Sequence, residues 1–332
     1  MGGRRLVALC ACLIGLSFAP PCAAADTASA SFPNHAVRII VGFAPGGTAD
    51  IVARLMAKPL SELWKQPVVV DNRPGASGVI AADLVAKAPK DGYTIGTVSA
   101  TFAILPALGE KLPYDAQKDF TILNRVVEIP YLLVAGNGSH VANVKTLAEL
   151  LNVARTQPGA ISHASSGPGS TEQLAAALLG SAAKVSFLDV PYKGTGAAIT
   201  DLIGGRVDIA FSAIPDLIGP VRNKSVRALA VGTRKRLPYL PDVPAVSETL
   251  KDFEMVQWFA FAAPAGLPRS VAEKLNADLG SVATSAALKP ALDDRLVAGT
   301  SFSLKESDDF YRTQLARWDR IVRSLGLDKQ PK

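Results

Sequence analysis

The stretch from Val37 to Leu63 decides the fold, and it reads VRIIVGFAPGGTADIVARLMAKPLSEL. Its beginning is a short, mostly apolar run that is typical of a buried strand. A break rich in glycine and proline follows at 44–47, after which apolar residues recur at helical spacing. The stretch therefore predicts a strand, a glycine-rich loop and a helix. Pro59 predicts a kink in this helix, or its end near Lys58.

The loop of this unit is suited to binding an anion. Gly46 and Gly47 lack a Cβ, so their backbone N–H groups can approach a ligand closely. The first N–H groups of a helix have no internal partner and carry a partial positive charge. Thr48 and Asp50 fall in the first turn, where they can cap the helix or contact a ligand. A tight turn with an ordinary helix cap has the same pattern, so this loop alone does not identify a site.

Three further glycine-rich loops, at 71–78, 165–173 and 191–196, each stand between a predicted strand and a predicted helix. Alternating strands and helices predict a mostly parallel sheet with helices on both faces. Ligands of such sheets bind beyond the carboxyl ends of the strands. Because the pattern recurs in both halves of the chain, we expect two similar lobes. Four loops placed alike indicate a small anionic or polar ligand between them.

Other segments predict how the lobes are connected and where helices begin. The apolar run 121–135 contains Pro130, which predicts a bend or a change of sheet. The run 256–262 is expected to be a strand that returns to the first lobe. A further helix is expected at about 289–297. A helix is expected to begin at Asn143 or Val144, and Thr146–Glu149 has capping-box spacing. The same spacing predicts helix starts at the pairs Ser170–Gln173, Ser270–Glu273 and Ser303–Glu306.

Composition bounds the class of protein. The 332 residues exceed what one typical domain needs, and 48% of them are hydrophobic, enough for sizeable cores. The 35 basic and 29 acidic residues leave a mild positive charge. Because no basic run stands out and aromatic residues are few, nucleic acid is not an expected partner.

The segment 1–25 is predicted to be a secretory signal peptide. It has the basic pair Arg4-Arg5, an apolar stretch and an A-x-A cleavage motif ending near Ala25. All three cysteines lie in this segment, so the mature chain would have neither disulfides nor thiolate chemistry. We expect a periplasmic protein, with a lipoprotein or twin-arginine export as less favoured alternatives.

The motifs of several enzyme classes are absent from the sequence. No glycine-rich loop has the lysine of a P-loop, and neither G-x-G-x-x-G nor G-x-S-x-G occurs at the required place. His163 lies near Ser165, but sequence proximity does not make a base and a nucleophile. We find no clustered metal ligands and predict neither metal nor cofactor. Lys193, Arg73 and Asp208 are candidate polar contacts, equally compatible with surface or turn positions.

A set of motifs, in this order and spacing, resembles the periplasmic receptors of tripartite tricarboxylate transporters, the Bug receptors. The resemblance covers about 32–326. The motifs that carry it are FAPGGTAD (43–50), VVVDNRPGASG (68–78), APKDGYT (88–94), SSGPGS (165–170), VPYKGTG (190–196), DLIGGRVD (201–208), RALAV (227–231), LPDVP (240–244) and APAGLP (263–268).

The resemblance implies a two-lobed α/β fold of the periplasmic-binding-protein type (type II-like), with crossing hinge strands. Lobe 1 would comprise 32–125 plus 256–330, and lobe 2 would comprise 126–255. A small carboxylate would be held between the lobes by backbone amides, hydroxyls and waters. The predicted ligand-binding residues are Phe43, Ala44, Pro45, Gly46, Gly47, Thr48, Asp50, Gly75, Ala76, Ser77, Gly78, Ser165, Ser166, Gly167, Gly169, Ser170, Thr171, Tyr192, Lys193, Gly194 and Asp208.

Two departures from the family pattern bear on this expectation: Ala81 stands where a glycine is usual and Gln173 where a histidine is usual. We expect a monomeric receptor, not an enzyme, that closes on its ligand by hinge motion and delivers it to membrane permease subunits. A secreted hydrolase-like enzyme using the same cleft, or a binding protein serving a sensor, are the alternatives. The sequence does not identify the ligand.

Overall fold

The computed structural model describes residues 32–167, 169–192, 195–295 and 297–328. The predicted signal peptide with its cleavage site, and the candidate contacts Lys193 and Gly194, lie outside these residues. Within them, strands and helices alternate along most of the chain, as the predicted α/β class requires. No helix in these ranges is long and apolar enough to cross a membrane.

The first lobe is built on three parallel strands with helices after them. The strands are β1 (Val37–Val41), β2 (Val68–Asn72) and β3 (Thr94–Ser99), with β1 in the middle. The helices are α1 (Thr48–Trp64), α2 (Val79–Ala86) and α3 (Ala100–Ala107). The strand–loop–helix units predicted at the first two loops are therefore confirmed, whereas α3 was not predicted.

Helix α1 continues through Pro59 to Trp64, so the prediction that it ends near Lys58 is wrong. Proline removes one backbone hydrogen bond from a helix interior. Here the surrounding residues compensate, because Met56, Leu60 and Trp64 are all buried against the core. Burial of such side chains contributes roughly 1.5–3 kcal/mol each.

Two long strands connect the lobes: β4 (Phe120–Gly136) and β9 (Val256–Pro264). They pair antiparallel as far as Pro130 and Val256, and β9 also pairs with β3. Beyond Pro130, β4 takes new partners in the second lobe, the strands β7 (Ile209–Ala213) and β8 (Val226–Val231). The predicted change of sheet at Pro130 and the returning strand are confirmed. The lobe boundaries proposed from the sequence stay a prediction.

The second lobe repeats the parallel arrangement. Strand β5 (Ser162–Ser165) lies between β6 (Leu188–Pro191) and β7. Its helices are α4 (Leu147–Thr156), α5 (Thr171–Ala183), α6 (Thr195–Ile203) and α7 (Ile214–Arg222). The capping pairs of α4 and α5 are confirmed, because Thr146 Oγ1 and Ser170 Oγ each accept the backbone N–H three residues ahead, both at 3.2 Å. The predicted start of α4 at Asn143 or Val144 is wrong, because the cap at Thr146 makes Leu147 the first helical residue.

The C-terminal part adds α8 (Arg269–Ala283), α9 (Lys289–Asp293), β10 (Ala298–Gly299) and α10 (Leu304–Ser324). The capping box of Ser303 and Glu306 is confirmed. The one predicted at Ser270 is wrong: α8 already begins at Arg269, whose side chain pairs with Glu273 at 2.7 Å.

The helix predicted over 289–297 is shorter than expected. Helix α9 ends at Asp293 and is followed by a turn at Asp294 and Arg295. Ala298 and Gly299 then form β10, which pairs antiparallel with β4 at Glu128 and Val127. A continuous apolar core runs from the first lobe into the second, and a smaller cluster around Leu132, Leu202 and Leu217 packs within the second lobe.

Gly232 is tightly packed where β4 and β9 pass between the lobes. Its N–H donates to the Tyr131 carbonyl and its carbonyl accepts from Met255 N–H, both at 2.7 Å. A Cβ at this position would collide with the Met255 carbonyl oxygen. We expect Gly232→Ala to lower the free energy of unfolding by about 1–3 kcal/mol, measured by urea denaturation.

The matched control is Gly196→Ala near the start of α6, where an added Cβ meets no atom within 4 Å. Because alanine favours helix over glycine, we expect this variant to be unchanged or stabilised by up to about 1 kcal/mol. Equal effects of the two substitutions would contradict the steric explanation.

Candidate functional site

A cavity of about 400 Å³ lies between the two lobes. Its lining comes from the segments that follow β1, β3, β5 and β6, from the turn before α2, and from β9. We call it the cleft cavity. The described residues that line it are Phe43, Ala44, Pro45, Gly47, Thr48, Ala49, Ser77, Ser99, Thr101, Ser166, Gly169, Ser170, Thr171, Glu172, Thr195, Gln257 and Phe259.

Ten of the residues predicted to bind ligand line the cleft cavity, and their contact with a ligand stays a prediction. They come from both lobes and are Phe43, Ala44, Pro45, Gly47, Thr48, Ser77, Ser166, Gly169, Ser170 and Thr171. Gly46 instead lines a neighbouring cavity, the side chamber, which shares Gly47, Thr48 and Thr195 with the cleft cavity.

Hydroxyl groups dominate the polar lining of the cleft cavity. Eight serine and threonine side chains line it, and Glu172 is the one charged side chain among the described lining residues. The hydroxyls come from both lobes, and they are those of Thr48, Ser77, Ser99, Thr101, Ser166, Ser170, Thr171 and Thr195. A hydroxyl can donate one hydrogen bond and accept two, so this lining can satisfy a polar ligand without a cationic side chain.

Sequence reasoning missed seven lining residues, namely Ala49, Ser99, Thr101, Glu172, Thr195, Gln257 and Phe259. A signal existed for Ala49, Glu172 and Thr195, which lie in the motif 43–50 and in the glycine-rich loops 165–173 and 191–196. Ser99 ends β3 and Thr101 follows it, at the edge of the sheet where ligands bind. Gln257 and Phe259 lie on β9, and only the pairing of β9 with β3 and β4 brings them to the cavity.

Asp50 organises the loop before α1. Its carboxylate accepts hydrogen bonds from Gly46 N–H at 2.9 Å, Arg54 Nε at 2.9 Å and Asn72 Nδ2 at 2.9 Å. Asn72 also donates to the Phe43 carbonyl at 3.0 Å, which ties β2 to the same loop. Asp50 is buried and does not line the cleft cavity. Asp50 therefore positions the loop, and its contact with a ligand stays a prediction.

The turn at 75–78 holds an uncommon backbone conformation. Gly75, Ala76, Ser77 and Gly78 all have positive φ, of 143°, 46°, 55° and 94°. Left-handed conformation costs non-glycine residues about 1–2 kcal/mol each, and such strain often marks functional sites. Of these four residues only Ser77 lines the cleft cavity.

Of the serines in the loop before α5, Ser166 and Ser170 line the cleft cavity and Ser165 does not. Ser165 is fully buried and its Oγ lies 3.4 Å from Gly167 N, so it supports the loop from below. Gln173, one of the two departures, accepts from Gly169 N–H at 2.8 Å and donates to Asp189 at 2.9 Å. Gln173 therefore connects the loop to Asp189 of β6. Neither residue lines the cleft cavity.

Ala81, the other departure, explains how α2 packs against the end of β1. A Cβ placed on Gly42 would lie 3.2 Å from the Ala81 Cβ and 2.8 Å from the Gly78 Cα. Ala81 is buried, so its methyl group fills the space beside Gly42. The departure thus affects helix packing below the turn rather than the lining of the cavity.

Asp208, predicted to bind ligand, does not line the cleft cavity. Asp208 precedes β7 and accepts from the N–H and hydroxyl of Ser162 at 2.8 and 2.6 Å, while His140 Nδ1 lies 2.8 Å from its other oxygen. Because Ser162 begins β5 and Ser165 ends it, Asp208 lies at the opposite edge of the sheet from the cleft. Its role is to join the starts of two strands.

Tyr192 also has a structural role, since its hydroxyl donates to Asp201 at 3.0 Å and it does not line the cleft cavity. His163 is buried, with Nε2 accepting from Phe211 N–H at 3.3 Å and Nδ1 3.4 Å from Asp189. Both of its ring nitrogens are thus occupied by structural partners. No group of three His, Cys, Asp or Glu in the described ranges could hold a metal ion.

Comparison with known families matches residues 52–327 to the model described as tripartite tricarboxylate transporter family receptor. The match covers most of the chain. The chain belongs to this family.

Relatives of this receptor extend over nearly its full length. Protein BugT of Bordetella pertussis is 30% identical over 329 residues, covering 98% of this chain and 99% of BugT. A UPF0065 protein from the tcbD-tcbE intergenic region of Pseudomonas sp. (strain P51) is 35% identical, covering 90% of this chain and 88% of that protein. The resemblance to Bug receptors is confirmed.

Solved structures support the two-lobed fold of this receptor. R. palustris Rpa4515 with adipate has a TM-score of 0.80 at 32% identity, covering 89% of this chain and 98% of that one. MatC from Rhodopseudomonas palustris with bound malate has a TM-score of 0.77 at 30% identity, covering 88% and 100%. The predicted periplasmic-binding-protein architecture is therefore confirmed.

The acidic groups around the cleft of this receptor differ in environment. Burial alone would raise the pKa of Asp50, but hydrogen bonds from Arg54, Gly46 and Asn72 outweigh it and lower the pKa to about 2. Burial and the nearby carboxylate of Glu172 raise the pKa of Asp216 to about 6, with Ser212 opposing. Glu172 accepts from Ser166 Oγ at 2.6 Å and from Tyr131 Oη at 3.3 Å.

We predict that Asp50→Asn destabilises the receptor by on the order of 1–2 kcal/mol at neutral pH. The pKa of Asp50 is lower in the folded state than in the unfolded state. Its contribution is therefore complete above about pH 4 and disappears as the pH falls through about 2. Urea unfolding at pH 7, 4 and 2.5 should show the difference from wild type shrinking with acid.

The matched control for Asp50→Asn is Asp319→Asn. Asp319 and Arg323 form the same i,i+4 ion pair at 3.0 Å, but on an exposed helix face, so its loss should cost only about 0.3–0.5 kcal/mol. The anchoring role of Asp50 would be refuted by a similarly small effect at pH 7.

We predict the opposite trend for Asp216→Asn. The raised pKa of Asp216 means that the folded state holds its proton up to about pH 6, and the cost of burying the charge is complete only above that pH. The variant should match wild type near pH 4 and be more stable by on the order of 1–3 kcal/mol at pH 8. Denaturation midpoints compared at both pH values decide this, and equal midpoints at pH 8 would show that Asp216 carries no such cost.

Proposed function

We propose that this protein is a periplasmic receptor that captures a small organic carboxylate in the cleft cavity and delivers it to a tripartite tricarboxylate-type permease. The observation that carries the proposal is the lining of eight hydroxyls around helix starts, with no cation among the described lining residues. The adipate and malate bound by two structural relatives agree with a carboxylate ligand.

The first-lobe side of the cleft is the better place for a carboxylate. Gly47, the residue before α1, provides no side-chain cap, and the acid in the first turn, Asp50, is already paired with Arg54. Ser99, the residue before α3, makes no side-chain cap hydrogen bond, and the first turn of α3 has no acid. The free N–H groups and dipoles of both helices therefore favour a negative group there.

The second-lobe side is less favourable for negative charge. Glu172 lies in the first turn of α5 and Asp216 in the first turn of α7, so both helix dipoles already face a carboxylate. We infer that a carboxylate binds first to the starts of α1 and α3. The second lobe then closes over it by motion about β4 and β9, adding the hydroxyls of Ser166, Ser170 and Thr195.

Periplasmic location rests on the predicted signal peptide and on relatives such as the periplasmic binding protein BugD. Delivery to a permease rests on the family description. The closed receptor would present a surface to membrane partners, and a sensor as the partner is the alternative. The enzyme alternative has little support, since His163 is held by structural partners and the family is one of receptors.

The first test is a thermal-shift screen of the mature protein with malate, adipate, citrate, acidic amino acids and aromatic acids, followed by calorimetry. A ligand at 100 times its Kd should stabilise the folded state by about 2.7 kcal/mol. We expect Thr48→Val to weaken binding of the best acid about tenfold or more, because a hydrogen bond to a charged group is lost. Exposed Thr313→Val on α10 is the matched control.

The outcomes separate the candidate functions. A shift with one class of acid, with the compound recovered unchanged, supports the receptor, whereas turnover of the compound would make the protein an enzyme. If no acid gives a shift, mass spectrometry of compounds released by denaturation shows whether a ligand was already bound. No shift and no released acid together would refute the proposal.

A further inference from the structure

The side chamber is a second cavity of about 400 Å³ that adjoins the cleft cavity. The two cavities share Gly47, Thr48 and Thr195, so the uncapped start of α1 borders both. A carboxylate held at that helix start would have the rest of its molecule next to the opening of the side chamber. Small-molecule sites have volumes of about 300–1,000 Å³, so the chamber is large enough to receive part of a ligand.

Seven of the fourteen described residues that line the side chamber have apolar side chains, and only two of the fourteen carry a hydroxyl group. Ile51 and Leu55 stand one turn apart on α1 and are only half-buried. Ile129 of β4, Leu292 and Val297 add further apolar surface. Partly exposed apolar side chains that line a cavity beside a polar site favour an apolar group of the ligand.

The charged side chains that line the side chamber, Arg295 and Asp216, have hydrogen-bond partners within the protein. Arg295 Nη1 donates to the Ala291 carbonyl at 3.0 Å and lies 3.6 Å from Asp294. Asp216 is next to Ser212, whose hydroxyl donates to it at 3.3 Å. Burial raises the pKa of Asp216 to about 6, which agrees with a poorly hydrated environment at this end. The carboxylate of Asp216 therefore disfavours a second negative group at its end of the chamber.

We propose that the side chamber receives the apolar tail of an organic acid whose carboxylate is bound at the start of α1. The ligand class is thus a monocarboxylate with an aliphatic or aromatic tail, rather than a compact polycarboxylate. The inference rests on the proposed receptor function and adds to it the chemical class of the ligand.

The test is calorimetry with the straight-chain acids from butanoate to octanoate and with phenylacetate. If the tail enters the side chamber, each added methylene should tighten binding about fourfold until the chamber is filled. The variant Ile51→Trp fills part of the chamber, so it should reduce the gain from the longer acids while leaving butanoate binding within about twofold of wild type.

Leu63→Trp is the matched control, because Leu63 lies on the same helix, is 51% exposed and does not line either cavity. It should leave the whole series unchanged. Should Ile51→Trp fold poorly, as judged by circular dichroism, Leu55→Phe provides a smaller change in the same wall.

The outcomes distinguish this inference from the function on which it rests. Binding of butanoate, malate and octanoate with equal affinity would overturn the tail chamber and leave the receptor function standing. Equal loss of all acids in Ile51→Trp would also overturn it, because the residue would then act on the carboxylate end. If no carboxylate binds the wild-type protein, both proposals fail. Chain-length dependence that disappears only in Ile51→Trp supports the inference.

Discussion

The antiparallel pairing of β4 with β9 is the constraint on which the rest of the structure depends. These strands connect the two lobes, and the pairing ends at Pro130, which has no N–H to donate. Beyond that residue β4 joins β7 and β8 instead. The change of partners places segments that follow β1 and β3 opposite those that follow β5 and β6, and the cleft cavity lies between them.

Recognition in this cleft depends on groups that the backbone holds in place. Helix starts and short hydroxyl side chains lose little conformational entropy when they bind, whereas a lysine or arginine would lose up to about 2 kcal/mol. The arrangement requires a well-ordered loop before α1. Asp50 provides this order by joining Gly46, Arg54 and Asn72, and its own charge is thereby neutralised near the anion site.

Local sequence patterns predicted the features that depend on neighbouring residues. The caps at Thr146, Ser170 and Ser303 form as expected, because a cap needs only a side chain and an N–H three residues ahead. Ser270 has the same spacing, yet the helix begins one residue earlier, after Pro268, and Glu273 pairs with Arg269. Local rules fail where a competing local partner is available.

The sequence alone determined the fold class, the four glycine-rich loops and the family, because chain geometry and motif order require no distant contact. Only the tertiary structure decided which loop residues line the cavity. Asp208 and Ser165 both adjoin strand ends, but strand pairing places Asp208 at the far edge and buries Ser165 beneath its loop. Gln257 and Phe259 are brought to the cavity by β9 from a segment more than 50 residues beyond the last predicted contact loop. The physical reason is that strand pairing decides which residues line the cleft. That pairing depends on contacts between residues far apart in the chain.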